Sequence, residues 1–298
     1  MTGVLSNPIA LALVPAVLWG LTPIFDKRGM AAGGGSVQAS LVVVVVEVAI
    51  YWTAITVLYG GAAFSGLTTE ILAVFVGAGV VGTAAGRIVI FVGVDRVGAS
   101  LNNAILSTRP LFATLVALVA LGEPVGPLTA AGIVVLVGGL AVLTISKGGD
   151  LEGWQPRDLV WPLAAAATFG LANVARRYGL LESSISPLEA VALNETAGMI
   201  ALAGYVLARG RANVLARPPE TYRYFAASGL LTTVAMLSLM TALGLESGRV
   251  ALVDPLVATA PLFTVLFAGV LLRDLERVTR GIVAGAALIV VGAALITI

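Results

Sequence analysis

Five ionisable side chains stand deep inside long apolar runs: Glu47, Arg87, Arg109, Glu195 and Asp254. A charge near the centre of a membrane helix costs roughly 2.5–3.5 kcal/mol, while each Leu, Ile, Val or Phe returns about 0.3–0.6 kcal/mol. A long apolar span can therefore carry one such charge, provided the charge finds a partner or a wet cavity. Two cations and three anions allow pairing between helices, and amides and aromatics accompany them. Asn102 precedes Arg109 by seven residues, so on one continuous helix the two lie within about 20° of each other. Asn103 stands about 100° from Asn102. Phe169, Asn173 and Arg176 follow helical spacing, with Arg176 read as near the membrane interface, and Pro15, Trp19, Pro23 and Asp26 form one stripe. These residues predict a polar cavity with an aromatic wall and cationic anchors. Its expected substrate-binding residues are Trp19, Arg87, Asn102, Asn103, Arg109, Asn173 and Asp254.

Each residue also admits a plainer role. Arg87 and Arg109 are either substrate contacts or clamps on Glu47, Glu195 and helix-end carbonyls. Glu47 and Glu195 are either symmetric packing locks or proton-coupling groups, since a carboxylate at mid-membrane can exchange a proton as substrate binds. Asn102 and Asn103 can simply join helices, and Trp19 can simply pack. Other chemistry is closed by composition. The chain has no His and no Cys, hence no imidazole base, thiolate nucleophile or zinc cluster of the usual kind. No catalytic residue, metal site or cofactor is expected. The net charge of +1 gives no clustered basic face for nucleic acid, and no GxxxxGK[ST] phosphate loop is present. Any pumping must be secondary.

The elements that carry these groups follow from composition. Of 298 residues, 59% are hydrophobic and only 11% are charged, where a soluble domain has about 25% charged residues. A spanning helix needs about 20 mostly apolar residues. Ten segments qualify: 7–27, 37–59, 71–94, 99–121, 127–146, 158–178, 187–208, 222–245, 250–272 and 279–297. The expected class is an all-α integral membrane protein of ten transmembrane helices. The run Val42 to Val46 would suit a buried strand, but the long apolar stretch around it favours helix. The first span lacks a preceding Lys or Arg and a small-residue cleavage site, so it does not read as a signal peptide.

The two halves repeat. At an offset of 151, residues 93–123 align with 244–274, matching Thr108 with Thr259 and Pro110-Leu111-Phe112 with Pro261-Leu262-Phe263. Gly132 and Gly139 match Gly285 and Gly292, Trp19-Gly20 matches Phe169-Gly170, and Glu47 matches Glu195. Five spans is an odd number, so the second copy crosses the membrane in the opposite sense. Such inverted repeats place a binding site between the halves and support alternating access.

Trp19-Gly20, the Gly98-Ala99-Ser100 turn, Pro110-Leu111-Phe112, Leu121-Gly122-Glu123 and the glycine pair Gly132 and Gly139 resemble the EamA-type domain of the drug/metabolite transporter superfamily. The resemblance covers two domains, 7–146 and 158–297. It implies ten helices, a central cavity lined mainly by the first, third and fourth spans of each half, and carriage of small metabolites or drugs. Arg273-Asp274 departs from the Gly-Glu of the first copy, and Glu47 and Glu195 replace a basic residue or none. The expected protein is a secondary transporter in the cytoplasmic membrane, moving small metabolites or drug-like amphiphiles as a monomer in the lipid bilayer. Alternatives from other classes are an intramembrane lipid-modifying enzyme, which would need a nucleophile or clustered carboxylates, and a non-transporting scaffold, which would need no cavity. Orientation is contested. Twelve Lys and Arg fall in odd-numbered loops and three in even-numbered ones, which puts the odd loops in the cytoplasm; the resemblance favours cytoplasmic termini.

Overall fold

A computed structural model describes residues 6–97, 102, 105–146, 155–210, 212–271 and 280–298. Among them there is no strand. The first two spans are α1 (Pro8–Ala31) and α2 (Ser36–Leu58). The third is α3 (Thr69–Ala78), a π-helical stretch (Gly79–Ala85) and α4 (Gly86–Val97) in succession. The fourth and fifth are α5 (Arg109–Ala120) and α6 (Pro127–Ile145). The second half runs through α7 (Val160–Leu181), α8 (Pro187–Ala208), α9 (Pro219–Gly244), α10 (Val250–Val257), α11 (Ala260–Leu271) and α12 (Arg280–Thr297). Nine of these segments are long and apolar enough to cross a membrane, and α5 is a shorter apolar helix. Large apolar side chains such as Val57, Leu115, Val119, Val134, Ile200 and Val290 remain more than half exposed, as lipid-facing positions require.

Local signals set the helix ends. Asn7 caps α1, accepting from the Ile9 N–H at 2.9 Å with Pro8 in the first turn. Ser186 and Glu189 form a reciprocal capping box ahead of α8. Gly122, in the left-handed conformation at φ +64, ends the fourth span and turns the chain back toward the helices.

The halves are interlaced. α1 packs against α9 and against α10 and α11, while α7 makes the corresponding contacts with α3, α4 and α5. The first helix of each half thus sits against the third and fourth spans of the other. α2 packs on α8, its own repeat mate, and α6 packs on α12. The matched glycines explain that last pairing. A methyl on Gly139 would stand 2.9 Å from the Gly285 carbonyl oxygen, and one on Gly292 would stand 2.7 Å from that of Gly132. The repeat therefore matches glycine to glycine across its own axis, letting two backbones touch.

Two sequence expectations are corrected. The fourth span does not carry Asn102 and Arg109 on one helical face: at the proline of each repeat the helix is interrupted, by turns at Ser107–Thr108 in the fourth span and Ala258–Thr259 in the ninth. Pro110 and Pro261 supply no N–H to the turn before, and Thr108 and Thr259 each donate a hydroxyl hydrogen bond at 2.6 Å, to the carbonyls of Ile105 and Leu256. The second correction concerns Arg176. α7 runs on to Leu181, which leaves Arg176 buried in the interior rather than at the interface.

Candidate functional site

Three arginines, three carboxylates and two amides meet where α2, α4, α5, α7, α8 and α10 converge. Asp254 is fully buried on α10 and is held from two sides. Arg109 Nε donates to its Oδ2 at 3.1 Å and Asn173 Nδ2 to its Oδ1 at 2.5 Å. From Asn173 the network continues: Arg176 Nη1 donates to Asn173 Oδ1 at 2.8 Å and Nε to Asn194 Oδ1 at 3.0 Å. Asn194 in turn donates to Glu195 Oε1 at 2.7 Å, and the Thr83 hydroxyl reaches the same oxygen at 3.1 Å. Cations and anions alternate along this chain, with amides between Arg176 and the anions on either side of it, while the other oxygen of Glu195 is buried without a hydrogen bond. Gly82 makes room for it: a methyl there would lie 3.0 Å from Arg176 Nη2.

Glu47 and Arg87 form a separate, looser pair. Arg87 Nη2 is 3.9 Å from Glu47 Oε2, beyond hydrogen-bond distance. A second long contact, 3.5 Å, runs from Arg87 Nη1 to the Ser40 carbonyl. Glu47 is buried, and its Oε2 has no hydrogen-bond donor.

A cavity of about 210 Å³ lies at the centre, lined from the first half by Trp19, Glu47, Thr83, Arg87 and Arg109 and from the second by Phe169, Asn173, Arg176, Glu195 and Thr232, with Met236 and Leu239. Two more cavities lie between Trp19 and the odd-numbered loops. One, of about 290 Å³, contains Asp26, Ser36, Ser40, Arg87 and Ser228; the other, of about 540 Å³, contains Pro23, Ser107, Arg109, Phe169 and Thr264. Trp19 borders all three.

The even-numbered loops face a different arrangement. Arg177 is buried and donates from Nε to Glu123 Oε1 at 3.1 Å, to the carbonyls of Leu243 and Glu246 at 2.6 and 2.9 Å, and to that of Leu245. The other oxygen of Glu123 accepts the Val250 N–H at 2.7 Å. The ends of the fourth and sixth spans and the turn into the ninth are thereby tied together.

The structure brings Trp19, Arg87, Arg109, Asn173, Glu47 and Glu195 to the central cavity. Asp254 stands behind the lining, as the partner that fixes Arg109 and Asn173. Asn102 is fully buried away from the cavity, with its amide so close to Gly93 that a side chain at that glycine would collide with it. Asn103, the Gly98–Ser100 turn and Arg273-Asp274 lie outside the described residues. Sequence reading missed Asn194, Thr83 and the tie between Arg177 and Glu123. Asn194 carried a signal, a second polar residue beside Glu195 in an apolar span; Arg177 and Glu123 carried none, because charges near span ends read as loop residues.

Comparisons with known proteins agree with this architecture. A solved crystal structure of a protein given no further description is similar in fold, with a TM-score of 0.76 at 19% identity over 97% of this chain and 95% of its own. No curated protein matches the chain. The model of the EamA-like transporter family matches residues 6–145 and again 158–298, one match for each inverted half. The chain belongs to the EamA-like transporter family.

Proposed function

We propose that this multi-pass membrane protein is a secondary carrier of the cytoplasmic membrane, working as a single chain, that moves small metabolites or drug-like amphiphiles by alternating access. One observation carries the reading: a polar, charge-lined cavity at mid-membrane, built from both inverted halves, continues into wider cavities toward the odd-numbered loops and meets a tied, apolar-packed region toward the even-numbered ones. Inverted halves exchange such faces by rocking around a fixed midplane site. Trp19 and Phe169 offer walls for an apolar body, and Arg87, Arg109 and Arg176 offer positive charge. Glu47 or Glu195 carries the coupling proton, there being no imidazole in the chain.

Reconstitution into liposomes tests this. Saturable uptake of at least one small metabolite or amphiphile is expected, responsive to a pH gradient, and abolished by Thr232→Trp, which fills the space shared by the central and adjoining cavities. Absence of saturable uptake across a broad compound set overturns the reading; uptake indifferent to the pH gradient and to Glu47→Gln and Glu195→Gln removes the proton from it. Ser65→Cys and Arg209→Cys, exposed positions in the second and seventh loops, decide orientation by labelling in this cysteine-free chain.

A further inference from the structure

The three cations at the central cavity are not equivalent. Arg109 is committed to Asp254 through Nε at 3.1 Å and through a longer bond from Nη2 to the Asp254 carbonyl at 3.5 Å. Arg176 is buried and spends Nε and Nη1 on Asn194 and Asn173. Arg87 is held by the two long contacts described above and by the longer-range attraction of Asp26, its side chain keeps 24% of its surface exposed, and it lines both the central cavity and the vestibule that holds Asp26, Ser36 and Ser40. Its anion, Glu47, has an oxygen within the protein that receives no hydrogen bond. A guanidinium has five donors in a fixed fork suited to two-point binding of a carboxylate, and Glu47 at 3.9 Å uses none of them well.

We propose that Arg87 is the receptor for an organic carboxylate substrate, and that Glu47 occupies it only while the site is empty. This rests on the carrier reading above. The incoming carboxylate takes the guanidinium in close, bidentate contact and Glu47 is released. Four charges or acidic groups then act on Glu47: Arg87 on α4, Arg176 on α7, Glu195 on α8 and Tyr51 on its own helix. With Arg87 occupied by substrate, Arg176 remains engaged by its amides, and Glu195 adds repulsion. Glu47 and Glu195 would then have only Arg176 between them at mid-membrane, where each uncompensated charge costs roughly 2.5–3.5 kcal/mol. A proton from the bulk solution, passed along water in the vestibule, moves onto a Glu47 carboxylate oxygen and restores the former net charge. One carboxylate and one proton enter together, and both leave together when the site faces the other way.

The probes are benzoate, hexanoate and indole-3-acetate, each set against its own amide, with purified protein. Isothermal titration in two buffers of different ionisation enthalpy is expected to show at least one carboxylate binding, its amide not binding, and uptake of one proton per carboxylate bound. Glu47→Gln removes the competitor for Arg87, so affinity rises, by about tenfold if Glu47 occupies the arginine nine-tenths of the time, and proton uptake falls to zero. Arg87→Gln loses carboxylate binding while its thermal unfolding stays close to that of the parent, and Arg87→Lys restores part of it. The proposal is overturned if no carboxylate binds better than its amide, if Arg87→Gln binds carboxylates as the parent does, or if Glu47→Gln still takes up the proton. Liposome uptake separates the two levels: carriage of a neutral or cationic compound with no preference for carboxylates leaves the carrier standing without this receptor, whereas carboxylates that bind with proton uptake but are not carried leave the receptor standing without the carrier.

Discussion

Across the membrane the two ends of this molecule are built by opposite means from the same repeat. Toward the even-numbered loops, Ile55, Phe75, Leu180, Leu188, Met240, Leu243 and Val250 join one apolar core, and Arg177 with Glu123 ties three chain segments over it. Toward the odd-numbered loops the corresponding cluster is small, centred on Leu41, Ala84, Leu202 and Val206, and the space is given to cavities. Among the described residues the polar contacts on that side are of a different kind: Gln38 donates to Thr221 at 2.8 Å, and Arg96 lies 3.7 Å from Asp158 with more than half of its side chain exposed. A repeat that were strictly symmetric in packing could not be open on one side. The difference teaches that the two faces share topology while buried polar ties and apolar filling decide which face is shut.

The comparison breaks most visibly at the tie. Arg177→Met strands Glu123 as a buried carboxylate without its cation and is expected to cost about 3–5 kcal/mol, read as a large fall in the thermal unfolding midpoint in detergent; Arg177→Met with Glu123→Leu is expected to recover part of it. Arg109→Ala leaves Asp254 with Asn173 alone, and a loss of about 3 kcal/mol is expected, the low end of the same range because Arg109 keeps some exposure. Packing where the halves meet responds less: Gly139→Val pushes a branched side chain into the α12 backbone and is expected to cost roughly 1–3 kcal/mol. Thr259→Val removes the hydroxyl that closes the break in the ninth span, for about 1 kcal/mol. Arg87→Ala sits at the bottom of the order, under about 1 kcal/mol, because the pair is loose and the buried Glu47 takes up a proton once its cation is gone. Equal losses for Arg87→Ala and Arg109→Ala would erase the distinction between a held cation and a free one.

Much of this was legible in the sequence because its signals are local or periodic. Span length needs only apolar runs, and the repeat needs only ordered matches such as Pro110-Leu111-Phe112 with Pro261-Leu262-Phe263. The paired carboxylates Glu47 and Glu195 stood out because a charge inside an apolar run has few explanations. What was not legible depends on where a helix stops being ideal. A helical wheel placed Asn102 beside Arg109, but the turn at Ser107–Thr108 lies between them and voids the angle. Arg176 was set near the interface by a span end drawn three residues short of Leu181. Nor could spacing say that Asp254 stands behind the lining, since its partners Arg109 and Asn173 lie 145 and 81 residues away.

The π-helical stretch from Gly79 to Ala85 has a consequence for where Arg87 points. Such a stretch lodges an additional residue inside an otherwise α-helical rod, and one residue is worth about 100° of rotation. Everything beyond Ala85 is consequently turned relative to the part of the span that precedes it. Gly86, against Phe169, and Arg87, toward Glu47, hold their bearings because of that turn. Shortening the stretch by one residue after Thr83 would swing the guanidinium away by about a quarter of a circle while the Thr83 hydroxyl keeps its place. The aim of this cation is set by the winding of the helix before it.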